Sequence, residues 1–190
     1  MSKAIRRLEL SELDPRIQQA LEPKVKRLGY LGEFFKCTGH QPEVLLAFNT
    51  MTESLKEALP DRLTELVAIT VTLKTGNDYE RHQHEQLSLK LGFGREWVAA
   101  VSRLQPLHGS ELEEEERAVQ RLTLAMLAHN GKGVRNELKD VVELIGPERA
   151  IAVLMSVGRY MVHGLVVNAL ELAAPVPSVF AQGTPGQAAQ

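Results

Sequence analysis

An all-α fold without a sheet is what this sequence predicts, on three observations. Helix-opening and helix-closing residues recur along its whole length: Asp14-Pro15, Gln41-Pro42, Pro60-Asp61, Asn130-Gly131 and Gly146-Pro147. Between them apolar residues return every three or four positions. No two alternating runs are joined by the tight turn of a hairpin. With 190 residues, 44% hydrophobic and 24% charged, the chain is long enough to bury its own core.

The elements follow in order. Met1 to Arg7 carry basic residues with no apolar run behind them, so no secretory signal is expected. Asp14 caps a helix that has Pro15 at its first position. Gln41-Pro42 opens a second, with Val44, Leu45, Phe48, Met51, Thr52 and Leu55 on one stripe. Pro60-Asp61 opens a third. Within it, Val67 to Leu73 alternates and is rich in β-branched residues, so propensity alone reads it as a strand. Leu63, Leu66, Val67, Thr70 and Leu73 also form a helical stripe, and the helical flanks favour a helix. Further on, Ser110 and Glu113 have capping-box spacing, and Glu113 to Glu116 read as a solvated first turn favoured by the helix dipole. Asn130-Gly131 and Gly133 close that helix, and Gly146-Pro147 separates two more.

The most apolar stretch, Ala150 to Ala174, is interrupted by Arg159, His163, Asn168 and Glu171 and reads as a buried helix, not a membrane span. From Ala174 to Gln190 the chain is rich in proline, alanine, glycine and glutamine, without charge, and reads as an extended or mobile tail. The expected division is an N-terminal helical extension over 1–39, a helical domain over 40–173 and a tail over 174–190.

Charge and cysteine content exclude several functions. Lysine plus arginine number 22 against 24 acids, giving a net charge of −2 and no electrostatic footprint for nucleic acid. Cys37 is the one cysteine, which excludes an intrachain disulfide, a CxxC redox pair and a cysteine zinc site. A cytoplasmic protein with neither membrane nor nucleic-acid partner is expected.

Residues 61–100 carry the chemistry. Glu80 and His84, four apart on a helix, share a face, with Asn77 on the same side and His82 pointing away. A carboxylate beside an imidazole is a competent acid–base pair, since each shifts the other's pKa. Glu65, on the preceding helix, could bring a second carboxylate. A structural alternative stays open: Asn77 and Glu80 also have capping-box spacing, which would leave His84 a surface partner, the commoner pattern for such residues.

The run Leu63-Thr64-Glu65-Leu66-Val67-Ala68-Ile69, then Thr75-Gly76-Asn77-Asp78-Tyr79-Glu80, three residues, His84, and then Leu91-Gly92 resembles the carboxymuconolactone decarboxylase family. That family is also known as alkyl hydroperoxidase D-like. Gly158-Arg159-Tyr160 through Leu165 to Asn168-Ala169-Leu170-Glu171 resembles the closing helix of its single-domain members, so the likeness spans residues 40 to 175. It implies an alkyl hydroperoxidase D-like helical bundle that forms a homo-oligomer. Its site would lie between helices, take a small-molecule substrate, and need no cofactor or metal.

In the peroxidase branch a glutamate, two cysteines and a histidine act together, and their positions match Glu65, Asn77, Glu80 and His84. Both sulfurs are absent, and Cys37 lies outside the motif, so thiolate chemistry is not expected. The decarboxylase branch keeps a glutamate and a histidine at the positions of Glu80 and His84, and removes a carboxylate from a lactone of aromatic-acid breakdown. The resemblance therefore implies a lyase-type acid–base enzyme acting on a carboxylated or carbonyl substrate. His84 would be the acid, Glu80 would fix its tautomer, Glu65 would support them, and Asn77 and Tyr79 would line the site. Two carboxylates beside an anionic substrate call for a cation, with Arg81 and Arg159 the candidates. A peroxidase-like antioxidant and a non-catalytic oligomeric binding protein are the rival readings.

Other motifs fail on inspection. His84-Glu85 begins a zinc-protease HExxH, but Ser88 stands at its last position. A metal on Glu65, Glu80 and His84 would have few ligands and no clear outer shell, and none is expected. Gly92-Phe93-Gly94 lacks the third glycine of a dinucleotide fingerprint and a preceding strand, so Gly92 reads as a helix end. His163, one turn beyond Tyr160, could line a pocket, though a hydrogen-bonded core histidine is the commoner case. His40, His108 and His129 receive no functional role, and Phe93 and Trp97 read as core anchors.

Overall fold

The computed structural model describes residues 4–108 and 111–181. Its helices are α1 (Pro15–Leu28), α2 (Glu33–Thr38), α3 (Pro42–Ala58), α4 (Asp61–Thr75), α5 (Asp78–Lys90), α6 (Arg95–Ser102), α7 (Glu114–His129) and α8 (Arg135–Ala169), and no strand occurs among the described residues. The ambiguous stretch from Val67 to Leu73 is helical. Leu63 through Thr72 are all buried in α4, because α7, α8, α5 and α6 pack around it. A helix covered on every side loses the amphipathic period, so its sequence no longer separates helix from strand. Thr72 and Thr75 donate their hydroxyls to carbonyls one turn back, which satisfies polar side chains inside the bundle.

Caps fall where the sequence puts them. Asp14 accepts from the Arg16 N–H, and Asn130 takes the left-handed conformation after α7. Gly76 ends α4 with φ +64, and Gly146, with φ +82 and ψ 162, leaves the helical conformation just before Pro147, so the two expected helices meet there within the span of α8. At α7 the cap is Glu113 with Glu116; the expected Ser110 lies outside the described residues.

The acidic run is not simply solvated. Glu116 is buried, accepts from Arg62 Nε at 2.7 Å and Trp97 Nε1 at 3.0 Å, and caps the helix through the Glu113 N–H at 2.8 Å. Glu116→Ala is therefore expected to cost about 3 kcal/mol, because it orphans the Trp97 donor and strips Arg62 of its partner. A denaturant melt measures it, and a loss under about 1 kcal/mol would return Glu116 to the ordinary surface class.

Two apolar clusters make up the core. One joins α4, α6, α7 and α8; the other packs Leu8, Leu13, Ile17, Leu21 and Phe34 of residues 1–39 against Leu45, Tyr79 and Val167. The first part of the expected tail is also held. Buried Glu85 accepts from Ser178 Oγ at 2.6 Å and the Val179 N–H at 3.1 Å, while His82 Nδ1 lies 3.1 Å from the Val176 carbonyl. A carboxylate on α5 thus fixes a segment whose composition reads as loose, and residues 182–190 lie outside the described part.

Candidate functional site

Gly76 turns the chain between α4 and α5 and lets the two helices lie side by side, with Asn77 capping α5 through its Oδ1 and the Glu80 N–H at 3.1 Å. Only half of the capping box forms: the Asn77 N–H bonds to the Thr72 carbonyl, and the Glu80 carboxylate turns elsewhere. Gly164 of α8 packs on this turn, where an added Cβ would come within 3.3 Å of Thr75 Oγ1 and 3.5 Å of Asn77 Nδ2. That close approach brings Arg159, Tyr160 and His163 of α8 to the face of α5.

The expected Glu80–His84 hydrogen bond is absent. His84 Nδ1 bonds to Glu65 Oε2 at 2.8 Å, and both side chains are largely buried. Glu80 instead accepts from Arg159 Nη1, at 3.0 and 3.2 Å to its two oxygens. Four-residue spacing brings Glu80 and His84 to one face, but α4 and α8 each supply a stronger partner. Arg159 is further held by Thr52 Oγ1 at 3.2 Å and lies over the rings of Phe48 and Tyr160.

The charges follow from these pairings. Burial disfavours the Glu80 anion, yet the Arg159 guanidinium together with His163 and His84 outweighs it and holds the carboxyl down at about 2. Burial likewise opposes charge on His84, and the Glu65 carboxylate overrides it, so the imidazole pKa is raised. His84 Nδ1 is committed to Glu65, and among the described residues Nε2 makes no hydrogen bond, so it remains the nitrogen for a ligand.

These groups border a cavity of about 390 Å³. His84, Glu80, Arg159, Tyr160, His163 and Tyr79 lie on its walls, together with Gly32 and Phe34 from the N-terminal region. The 1–39 region is thus part of the site. Asn77, expected to line it, does not; it is fully buried as a cap. Glu65 is also absent from the wall and acts on the cavity only through His84. Tyr79 lines the wall, with its hydroxyl accepting from the Phe34 N–H at 3.3 Å and burial pushing its pKa up to about 12.

Of the two candidate cations, only Arg159 faces the cavity. Arg81 is occupied by Asp78 at 2.8 Å and Glu85 at 3.6 Å. Four further cations that the sequence analysis did not single out border the cavity: Lys24, Arg27, Lys56 and Lys90. Lys24 and Lys56 share Glu53, at 3.2 and 3.4 Å, whereas Arg27 and Lys90 have no carboxylate partner among the described residues. No sequence signal could gather them, since they come from α1, α3 and α5.

His163 also lines the cavity instead of serving as a hydrogen-bonded core histidine. It stacks on Phe34 with centroids 4.0 Å apart, and its Nδ1 sits 3.2 Å from Glu80 Oε2 without forming a hydrogen bond. Burial drives its pKa down to about 3, so it is neutral near pH 7. Among the described residues no group of three or more His, Cys, Asp or Glu is arranged to hold a metal ion.

Against known proteins, residues 42–114 match the carboxymuconolactone decarboxylase family. The chain matches no curated protein. Among solved structures, the debrominase Bmp8 in complex with 2,3,4-tribromopyrrole shares 16% identity at a TM-score of 0.73, over 90% of this chain and 91% of that one. The alkylhydroperoxidase AhpD core of an uncharacterized peroxidase-related protein from Ralstonia eutropha JMP134 shares 15% identity at a TM-score of 0.75, over 86% and 87%. At such identities the likeness is one of fold. The match to the carboxymuconolactone decarboxylase family is confined to residues 42–114, and the solved structures share the helical fold of AhpD-like proteins.

Proposed function

We propose that this protein is an acid–base enzyme of lyase type that protonates a small carboxylated carbonyl substrate, with His84 as the acid and Glu65 holding it. The observation that carries this reading is the 2.8 Å Glu65–His84 bond behind a cavity bordered by five cations. Loss of carbon dioxide from such a substrate leaves electrons on a carbon, and that carbon must take a proton. Nε2–H of His84 supplies it, and the proton shared between Nδ1 and Glu65 keeps the ring in one tautomer. Two carboxylates beside an anion would repel it, but both are matched, Glu65 by His84 and Glu80 by Arg159. The unmatched charge belongs to Arg27 and Lys90, which favours an anionic group at the mouth of the cavity. A dithiol peroxidase is not proposed, since Cys37 is buried on α2 and the chain holds no second cysteine.

A thermal-shift panel of lactone acids, β-keto acids and halogenated aromatic acids, followed by a carbon dioxide release assay, tests the reading. A carboxylated ligand at 100 times its Kd should add about 2.7 kcal/mol. Its uncharged ester should add much less. Equal shifts for acid and ester would remove the case for anion recognition.

A further inference from the structure

Besides the acid His84, the cavity wall carries an amine whose surroundings oppose its charge. Lys24 of α1 borders the cavity, with its side chain only 17% exposed. Asn49 Oδ1 lies 3.0 Å from its Nζ and Glu53 Oε1 3.2 Å. Neither Asn49 nor Glu53 is on the wall, so both hold the amine from behind, as Glu65 holds His84. Lys56, which is on the wall, reaches the same Glu53 oxygen at 3.4 Å. Two amines thus share one carboxylate oxygen, and Arg159 is a third cation close enough to act on Lys24. Burial opposes the ammonium form of Lys24, as do Lys56 and Arg159, whereas Glu53 and the Phe35 ring, 5.1 Å away, favour it. The balance brings its pKa below the ordinary lysine value.

We propose that Lys24 is a second catalytic residue, forming an imine with the ketone carbon of a β-keto acid. The proposal rests on the acid role of His84 and narrows its substrate class. A lysine desolvated beside other cations is the activated form of such a nucleophile, because the neutral amine carries the lone pair that attacks a carbonyl. Hydrogen bonding agrees with that form. An ammonium has three donors, and among the described residues Asn49 and Glu53 are the acceptors within reach of Lys24 Nζ. They match the two N–H groups of a neutral amine and leave its lone pair unshared. The two wall groups then divide the work: α1 supplies the electron sink and α5 the proton.

The steps balance. Lys24 Nζ attacks the ketone carbon, the ketone oxygen leaves as water, and one proton from solvent leaves the nitrogen as a protonated imine. The bond to the carboxylate then breaks. Its electron pair moves through the C=N bond onto nitrogen, carbon dioxide departs and an enamine remains. His84 Nε2–H gives the carbon its proton and restores the protonated imine. Water adds to that imine, frees the ketone and the Lys24 amine, and releases the proton taken up at the start. Overall one proton is consumed, at carbon, and solvent returns it to His84. A lactone acid does not fit this sequence, since an amine turns its ester carbonyl into an amide instead of an imine.

Borohydride reduction of the full wild-type chain with acetoacetate, followed by peptide mass spectrometry, tests this. The reduced adduct should sit on Lys24 in preference to Lys56, Lys90 and the other lysines. Lys24→Arg keeps the positive charge and should abolish that adduct while circular dichroism keeps its helical signal. Lys56→Gln withdraws a cation that opposes the Lys24 ammonium, so the adduct should form only at higher pH than in wild type. A lysine that merely packs would show neither the adduct nor its shift. Carbon dioxide release without an adduct on Lys24 overturns the inference and leaves the acid role of His84 standing. An adduct on Lys24 without carbon dioxide release supports the imine site and removes the lyase reading instead. No adduct from acetoacetate or pyruvate, or adducts spread evenly over the exposed lysines, overturns the inference.

Discussion

Replacing His84 with alanine is expected to lower turnover of the responding substrate about 10²- to 10⁴-fold, the usual contribution of one general acid. The fold should survive, since His84 has a face on the cavity. The pH profile carries the sharper information. With its pKa raised by Glu65, His84 is protonated below that value and active as an acid, so the rate should fall as pH rises through it. Glu65→Gln withdraws the carboxylate, so the fall should begin at lower pH while the chemistry persists at acid pH. Stability follows the same sign. A raised histidine pKa contributes stability that is fully present below the unfolded value and is lost as pH rises through the folded one, so Glu65→Gln should cost most on the acid side. A rate profile that does not move in Glu65→Gln would assign the proton to another group.

Glu80→Gln should act differently, chiefly on stability. Glu80 sits at about 2 in the folded chain against an ordinary 4.5, which corresponds to roughly 3 kcal/mol. A depressed carboxyl pKa contributes stability present above the unfolded value and lost as pH falls through the folded one. Wild type should therefore lose that contribution between about pH 4.5 and 2, and Glu80→Gln should lack it at every pH. His163 adds an acid-sensitive limb of its own: being neutral when buried, it loses stability from its ordinary 6.5 down toward 3. The effects separate in a pH series of denaturant melts on Glu80→Gln, His163→Gln and the double variant. If Glu80→Gln leaves stability near pH 7 unchanged but abolishes turnover, Glu80 is a reacting group and the Arg159 pairing is not its main role.

The chain's own pattern determined the helical class, most of the helix boundaries and two residues, Glu80 and His84, that border the cavity. Caps are local: Asp14-Pro15, Gln41-Pro42 and Asn130-Gly131 act through hydrogen bonds and φ preferences within a few residues, so they read directly from the sequence. Local spacing also brought Glu80 and His84 to one face of α5. It could not decide what each touches, because a pair on one helix is weak and yields to any better partner from another. α4 supplied Glu65 and α8 supplied Arg159, from 19 and 79 residues away.

The same reason lies behind the other differences. Residues 67–73 were ambiguous because burial on all sides erases the helical period. Glu116 looked solvated because Trp97 and Arg62 meet it only once α4, α6 and α7 are packed. The cations around the cavity and the exposed apolar residues of α8 depend on which faces the bundle leaves open. Sequence determined what was local; tertiary packing chose the partners, and those partners decide the charge on Glu80 and the proton on His84.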